Sequence, residues 1–138
     1  MIDKFGGVLY LIVFIVHFAA YAFYAFRCVF GTKAFIDQYA MGDGSAIMTR
    51  FFGSIFIGSV LMALYIMLVR PAGLEGTWAF FNLIFLQNLF AFFVGIYSHK
   101  ISTLGVNEKT SIEGIIAPGI LTLLSAALTY GLSDKIYY

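Results

Sequence analysis

Seven carboxylates, two histidines and one cysteine are the side chains here that could hold a metal or exchange a proton near neutral pH. Two histidines suggest the axial ligands of a haem, which must face one ring from opposite sides at similar depth. His17 and His99 fall on runs that would cross in the same direction, at depths about 13 Å apart by helical rise, so one bundle cannot bring both to one ring. Thiol–disulfide exchange needs two thiols, and Cys28 is alone. Near the end of an apolar run it reads as a small apolar filler. Zinc needs several His, Cys or carboxylate ligands together, and the chain has no HExxH, no Cys pair and no buried carboxylate pair. Phosphate-loop and nucleophile-elbow motifs are also missing. A proton-coupled exporter would carry an acid inside a span. Asp3, Asp37, Asp43, Glu75, Glu108, Glu113 and Asp134 all fall in links or at span ends, with Glu113 the nearest to one. The expectation is therefore no catalytic residue and no metal site.

The elements that must position these groups follow from composition. Of 138 residues, 62% are hydrophobic and 11% charged, with a mean hydropathy of +0.95. Soluble domains run near 45–50% apolar and about 25% charged, so the solvent for most of this chain is a bilayer. A net charge of +1 with no basic run argues against nucleic acid. Apolar stretches at Phe5–Phe26, Phe51–Val69, Trp78–Ser98 and Ile112–Leu132 are continuous rather than alternating. Each is long enough to cross about 30 Å of hydrocarbon as a helix. The first has a possible cleavage site at Ala20-Tyr21-Ala22, but it is longer than a usual signal core and reads as a retained span. The chain thus predicts a single all-α membrane domain over residues 1–138, a four-helix transmembrane bundle running up-down-up-down. Its spans fall at about 5–26, 47–69, 78–98 and 112–132.

The link Arg27–Thr49 carries Phe35, Ile36, Tyr39 and Ala40 at helical spacing, with Lys33, Asp37 and Gln38 between them. That pattern predicts a short amphipathic helix in the headgroup layer. Gly42-Asp43-Gly44 would end it, and Ser45 would cap the second span. The links after the first and third spans carry Arg27, Lys33, Arg50, Lys100 and Lys109, against Lys4, Arg70 and Lys135 on the other side. Positive-inside counting puts the termini on the non-cytoplasmic side.

Each span carries one stripe of polar or small residues, and in lipid such residues face protein. The stripes are Tyr10, His17, Tyr21 and Tyr24; Arg50, Ser54, Gly58 and Tyr65; Asn88, Ala91, Gly95 and His99, with Gln87 on the adjoining edge; and Gly114, Pro118, Thr122, Ser125 and Thr129. By helical rise, His17, Gly58, Asn88 and Thr122 all lie roughly 12–15 Å deep, a midplane layer. His17, Asn88, Gln87 and Thr122 are its candidate ligand-contacting groups. They serve either as interhelical glue or as a grip on a small polar headgroup, proton, metal or pigment. Arg27, Arg50, His99 and Glu113 form a candidate headgroup cluster near one surface. Gly53, Ser54, Gly58 and Gly95 are candidate helix-packing residues.

The stretch Phe30-Gly31-Thr32, Phe35-Ile36, Arg50-Phe51-Phe52-Gly53-Ser54 and Gly58 resembles the DoxX-like and related small four-span proteins of the bacterial inner membrane. A phenylalanine–glycine loop start followed by Arg-x-x-Gly carries the resemblance, over the first half of the chain. It implies a bacterial inner-membrane location, interface and packing roles for Arg50 and Gly53, and in some relatives a membrane subunit linked to quinone.

The leading functional expectation is a non-catalytic membrane subunit or assembly factor. It would pack against other membrane proteins, copies of itself and membrane lipids, with no cofactor expected beyond a bound lipid or quinone. The alternative is an enzyme or carrier for a lipophilic small molecule held by the midplane layer. A channel or transporter is a third.

Overall fold

The computed structural model describes residues 1–138 and is entirely helical, without strands. Gly6 and Gly7 take positive φ values of 68° and 141°, a conformation that favours glycine. They hold the chain out of the first helix until Val8. A single 3-10 turn, Asp3–Phe5, precedes them, and helix α1 runs Val8–Val29. The span therefore starts three residues later than hydropathy suggests. Phe5 folds under the bundle instead, 0% exposed, with its ring centroid 4.8 Å from that of Phe14.

Helix α2, Thr32–Gln38, is the short helix between the first two spans. Thr32 donates its hydroxyl to the Cys28 and Val29 carbonyls, which ties α2 to the end of α1. Phe35 and Ile36 turn inward over the buried Cys28. Lys33 turns outward to Asp37 at 2.9 Å and Asp43 at 2.8 Å. The helix ends before Gly42-Asp43-Gly44. Ala40 takes a left-handed φ of 54°, and the Met41 amide reaches back to the Ile36 carbonyl. Ser45 does not cap the next helix: its own φ and ψ are already helical rather than extended, and its hydroxyl turns back to donate to the Gly42 carbonyl.

Helix α3, Ala46–Leu64, widens into a π-helical turn over Tyr65–Val69, and Arg70-Pro71 stops it. Lys4 donates to the Ile66 and Met67 carbonyls at 2.5 and 2.9 Å. A cation from the other end of the chain thus satisfies acceptors that a helix C-terminus leaves free. Helices α4, Trp78–Lys100, α5, Glu113–Gly131, and the single turn α6, Ser133–Ile136, complete the chain.

Helix α1 sits between α3 and α5, and α4 packs on α5. Glycines set the close approaches. Gly53 leaves no room for a Cβ against Cys28 and Val29, and Gly95 lies on the backbone of Gly114. Between the helices, Phe14, Phe18, Ile66, Phe81, Leu128 and Ile136 build a dry core toward the end that holds both termini.

Only 26 of 138 residues are buried, and Phe23, Phe26, Phe51, Phe90 and Leu123 are among many large apolar residues left exposed. A water-soluble fold does not leave apolar surface this continuous. Four helical segments, Val8–Val29, Asp43–Val69, Trp78–Lys100 and Glu113–Gly131, are long and apolar enough to cross a membrane. The chain is an integral membrane protein.

Candidate functional site

Asn88 is the centre of the polar layer. It is 4% exposed, on the face of α4 that meets α1 and α5. Its amide nitrogen donates to Ser125 Oγ at 3.0 Å and to the Leu121 carbonyl at 3.2 Å, and it lies 2.8 Å from His17 Nε2. Its carbonyl oxygen accepts the Tyr21 hydroxyl at 2.5 Å. One amide thus joins three helices. Such bonds in a bilayer are worth about 0.6 kcal/mol each and rarely more than about 1.7. Together they tie α1, α4 and α5 at one point in the interior.

His17 is 0% exposed and packed by the rings of Phe18 and Tyr21. Its Nε2 lies 2.8 Å from the Asn88 amide nitrogen, which has two N–H groups for three acceptors within reach, while its Nδ1 points elsewhere. That atom is buried without a hydrogen-bond partner.

Not every expected member joins this layer. Thr122 is half-buried, and its hydroxyl donates to the Pro118 carbonyl of its own helix at 2.6 Å. Ser125, one turn further along α5, takes the place expected for it. Gln87 is one residue, or about 100° of helix, from Asn88 and makes no side-chain hydrogen bond. Gly58 is exposed on the outer face of α3, with open space around it, and is not part of the layer.

A second cluster lies at the end of the bundle under α2, with Glu113 as its hub. One carboxylate oxygen accepts the Tyr24 hydroxyl at 2.7 Å and faces Arg27 at 3.5 Å. The other accepts the Gln38 amide and, at 3.5 Å, the Tyr39 hydroxyl. Arg27 also donates to Gln38, and its guanidinium lies 5.1–5.5 Å from the ring centroids of Phe23, Tyr24 and Phe35. Burial, and next the Glu113 carboxylate, push the Tyr39 phenol up to about 12, so it stays a donor. Arg27 and Glu113 are thus together as the sequence suggests. Gln38, Tyr24 and Tyr39 are members that spacing alone does not single out.

The other two expected members stand apart. Arg50 is exposed on α3 and makes no ion pair or hydrogen bond, because the buried side of that turn is occupied by Thr49 and Gly53. His99 Nδ1 lies 2.9 Å from the Gly95 carbonyl of its own helix, its Nε2 is buried without a partner, and it makes no bond to Glu113.

The packing residues divide as well. Gly53 and Gly95 face neighbouring helices, while Ser54 and Gly58 face outward. On a helix, 53 and 54 point about 100° apart, and the buried row of α3 is Thr49, Gly53, Ser59, Ala63 and Ile66.

No three His, Cys, Asp or Glu side chains converge in a way that could hold a metal ion. Neither the apolar groove between α1 and α3 nor the charged recess near the termini is lined by His17, Asn88 or Glu113. The polar groups of both clusters are engaged mainly with one another. Comparison with protein-family models, with curated proteins and with solved structures finds no match to the chain.

Proposed function

We propose that this chain is a small non-catalytic subunit or assembly factor of the bacterial inner membrane. It crosses four times up-down-up-down with its termini outside, and it packs sideways on another membrane helix, either its own copy or a partner subunit. The location rests on the DoxX-like resemblance, and the orientation on the excess of Lys and Arg after the first and third spans.

One observation carries the packing role. Ser54 and Gly58 form a small-xxx-small pair that the bundle does not use, exposed on α3 beside Phe51, Ile55, Leu61 and Met62. A Cβ on Gly58 would meet nothing within 4 Å. Small residues in lipid let two backbones approach closely, and here the approaching backbone belongs to another molecule.

The test is the size of the particle extracted from native membranes in a mild detergent or polymer disc. A defined assembly that contains this chain, and loses it on Gly58→Leu, supports the proposal. A wild-type chain that extracts alone, or an assembly indifferent to Gly58→Leu, overturns it.

A second reading, a carrier or enzyme for a lipophilic molecule, is favoured by the partnerless Nδ1 of the buried His17. It requires isolated particles that carry a lipophile and lose it on His17→Phe.

A further inference from the structure

Lys4 stands between two cavities of opposite character. On one side is a groove of about 280 Å³ between α1 and α3, open toward the lipid. Phe14, Phe18, Val60, Ala63 and Met67 are among its lining residues, all of which are hydrophobic. On the other side, outside the spans, is a recess of about 320 Å³ whose lining includes Asp3, Lys4, Glu75, Asp134 and Lys135. Lys4 links the two: it lines the recess, and its ammonium donates at 2.9 Å to the backbone carbonyl of Met67, a residue that lines the groove.

The charged side chains of the recess make no ion pair with one another. The ion pairs of the molecule are Arg27–Glu113, Lys33–Asp37 and Lys33–Asp43, and none lies here. Arg70 is nearby but gives its guanidinium to the Gly73 and Glu75 carbonyls, not to a carboxylate. Lys4 uses two of its three ammonium donors on Ile66 and Met67, which leaves one. Three exposed carboxylates and two ammonium groups thus line one recess without forming an ion pair.

We infer that this end of the bundle holds one phospholipid with a primary-ammonium headgroup, its acyl chain in the α1–α3 groove and its headgroup in the recess beside Lys4. The groove is walled by hydrocarbon alone, and in a bilayer the material that reaches it is acyl chain. The recess asks for both signs of charge: a phosphate for the free donors of Lys4 and Lys135, and a cation for Asp3, Glu75 and Asp134. An anionic headgroup without an amine leaves the carboxylates unanswered. A quaternary amine carries charge but no N–H to donate. Phosphatidylethanolamine has the chemistry that fits.

The test is native mass spectrometry of the full chain in mild detergent with equal amounts of dioleoyl phosphatidylethanolamine, phosphatidylcholine and phosphatidylglycerol. One ethanolamine lipid should be retained in preference to the other two by about fivefold, the most that an exposed ion pair usually confers. Asp134→Asn with Glu75→Gln should abolish the preference while leaving retention of all three lipids. Neither side chain makes a hydrogen bond in the fold, so this variant tests the headgroup without risk to folding. Ala22→Phe, at an exposed position of the groove wall, should lower retention of all three, with thermal unfolding reporting that the bundle persists. The inference fails if no lipid is retained, if the glycerol or choline lipid is held as well as the ethanolamine lipid, or if the preference survives in the double variant.

Discussion

Gly95 on α4 lies against the carbonyl of Gly114 on α5, so close that a Cβ on Gly95 would stand 2.5 Å from that oxygen. Pro118, four residues after Gly114, has no N–H, so this carbonyl lacks the helical donor it would ordinarily have. The bare Cα of Gly95 fills the space and brings C–H groups to the oxygen, a weak contact that recurs where helices touch.

Gly95→Ala should therefore destabilise the bundle by about 1–3 kcal/mol, the usual cost of an overpacked contact whose obstacle is backbone. Gly58→Ala is its control, since that Cβ enters open space. Reversible unfolding in mixed micelles should show a clear loss for the first variant and none for the second. Equal effects would mean that the close approach does not limit packing at Gly95.

Asn88→Leu breaks contacts to His17, Tyr21, Leu121 and Ser125 together. It should cost about 1–3 kcal/mol, summing several interhelical bonds and the polar groups left unpaired. His17→Phe should cost less, because it also removes a buried ring nitrogen that has no partner. The same unfolding assay ranks the two, and a larger loss for His17→Phe would give His17 a structural role that its contacts do not explain.

Glu113→Gln places an amide nitrogen where a carboxylate oxygen now accepts from Gln38, or breaks the bond to Tyr24 if the amide turns the other way. Losing about 1–2 kcal/mol of charge-assisted bonding in a half-exposed site should raise local opening roughly tenfold. Hydrogen exchange over Thr32–Gln38 should speed up accordingly while α4 stays protected. Unchanged exchange in α2 would mean that Phe35 and Ile36 alone hold it down.

Arg50→Gln and Thr122→Val should each leave stability within about 0.5 kcal/mol. Arg50 is exposed without a partner, and the Thr122 hydroxyl bonds only within its own helix. A loss above about 1 kcal/mol in either would place that side chain in an interface absent from the isolated chain.

Much of the architecture is legible residue by residue. Unbroken apolar runs require helices in oil, because a bilayer offers backbone groups no other partners. The amphipathic spacing of Phe35 and Ile36 against Lys33 and Asp37 is likewise enough to place α2. Asn88 and His17 are legible as interior groups because amides and imidazoles avoid lipid. Hydropathy is blind to backbone angle, and so to the delay that Gly6 and Gly7 impose on the start of α1.

What composition and periodicity determined is therefore the solvent, the helices and the types of group held inside. Only the tertiary structure decided which neighbour each stripe meets. It turned Gly53 inward and Ser54 outward, chose Ser125 over Thr122 for Asn88, and gave Glu113 to Tyr24 and Gln38 rather than to Arg50 or His99. The physical reason is rotation about the helix axis. A step of one residue turns a side chain by about 100°, so every face is equally available until neighbouring helices dock and close approach selects one.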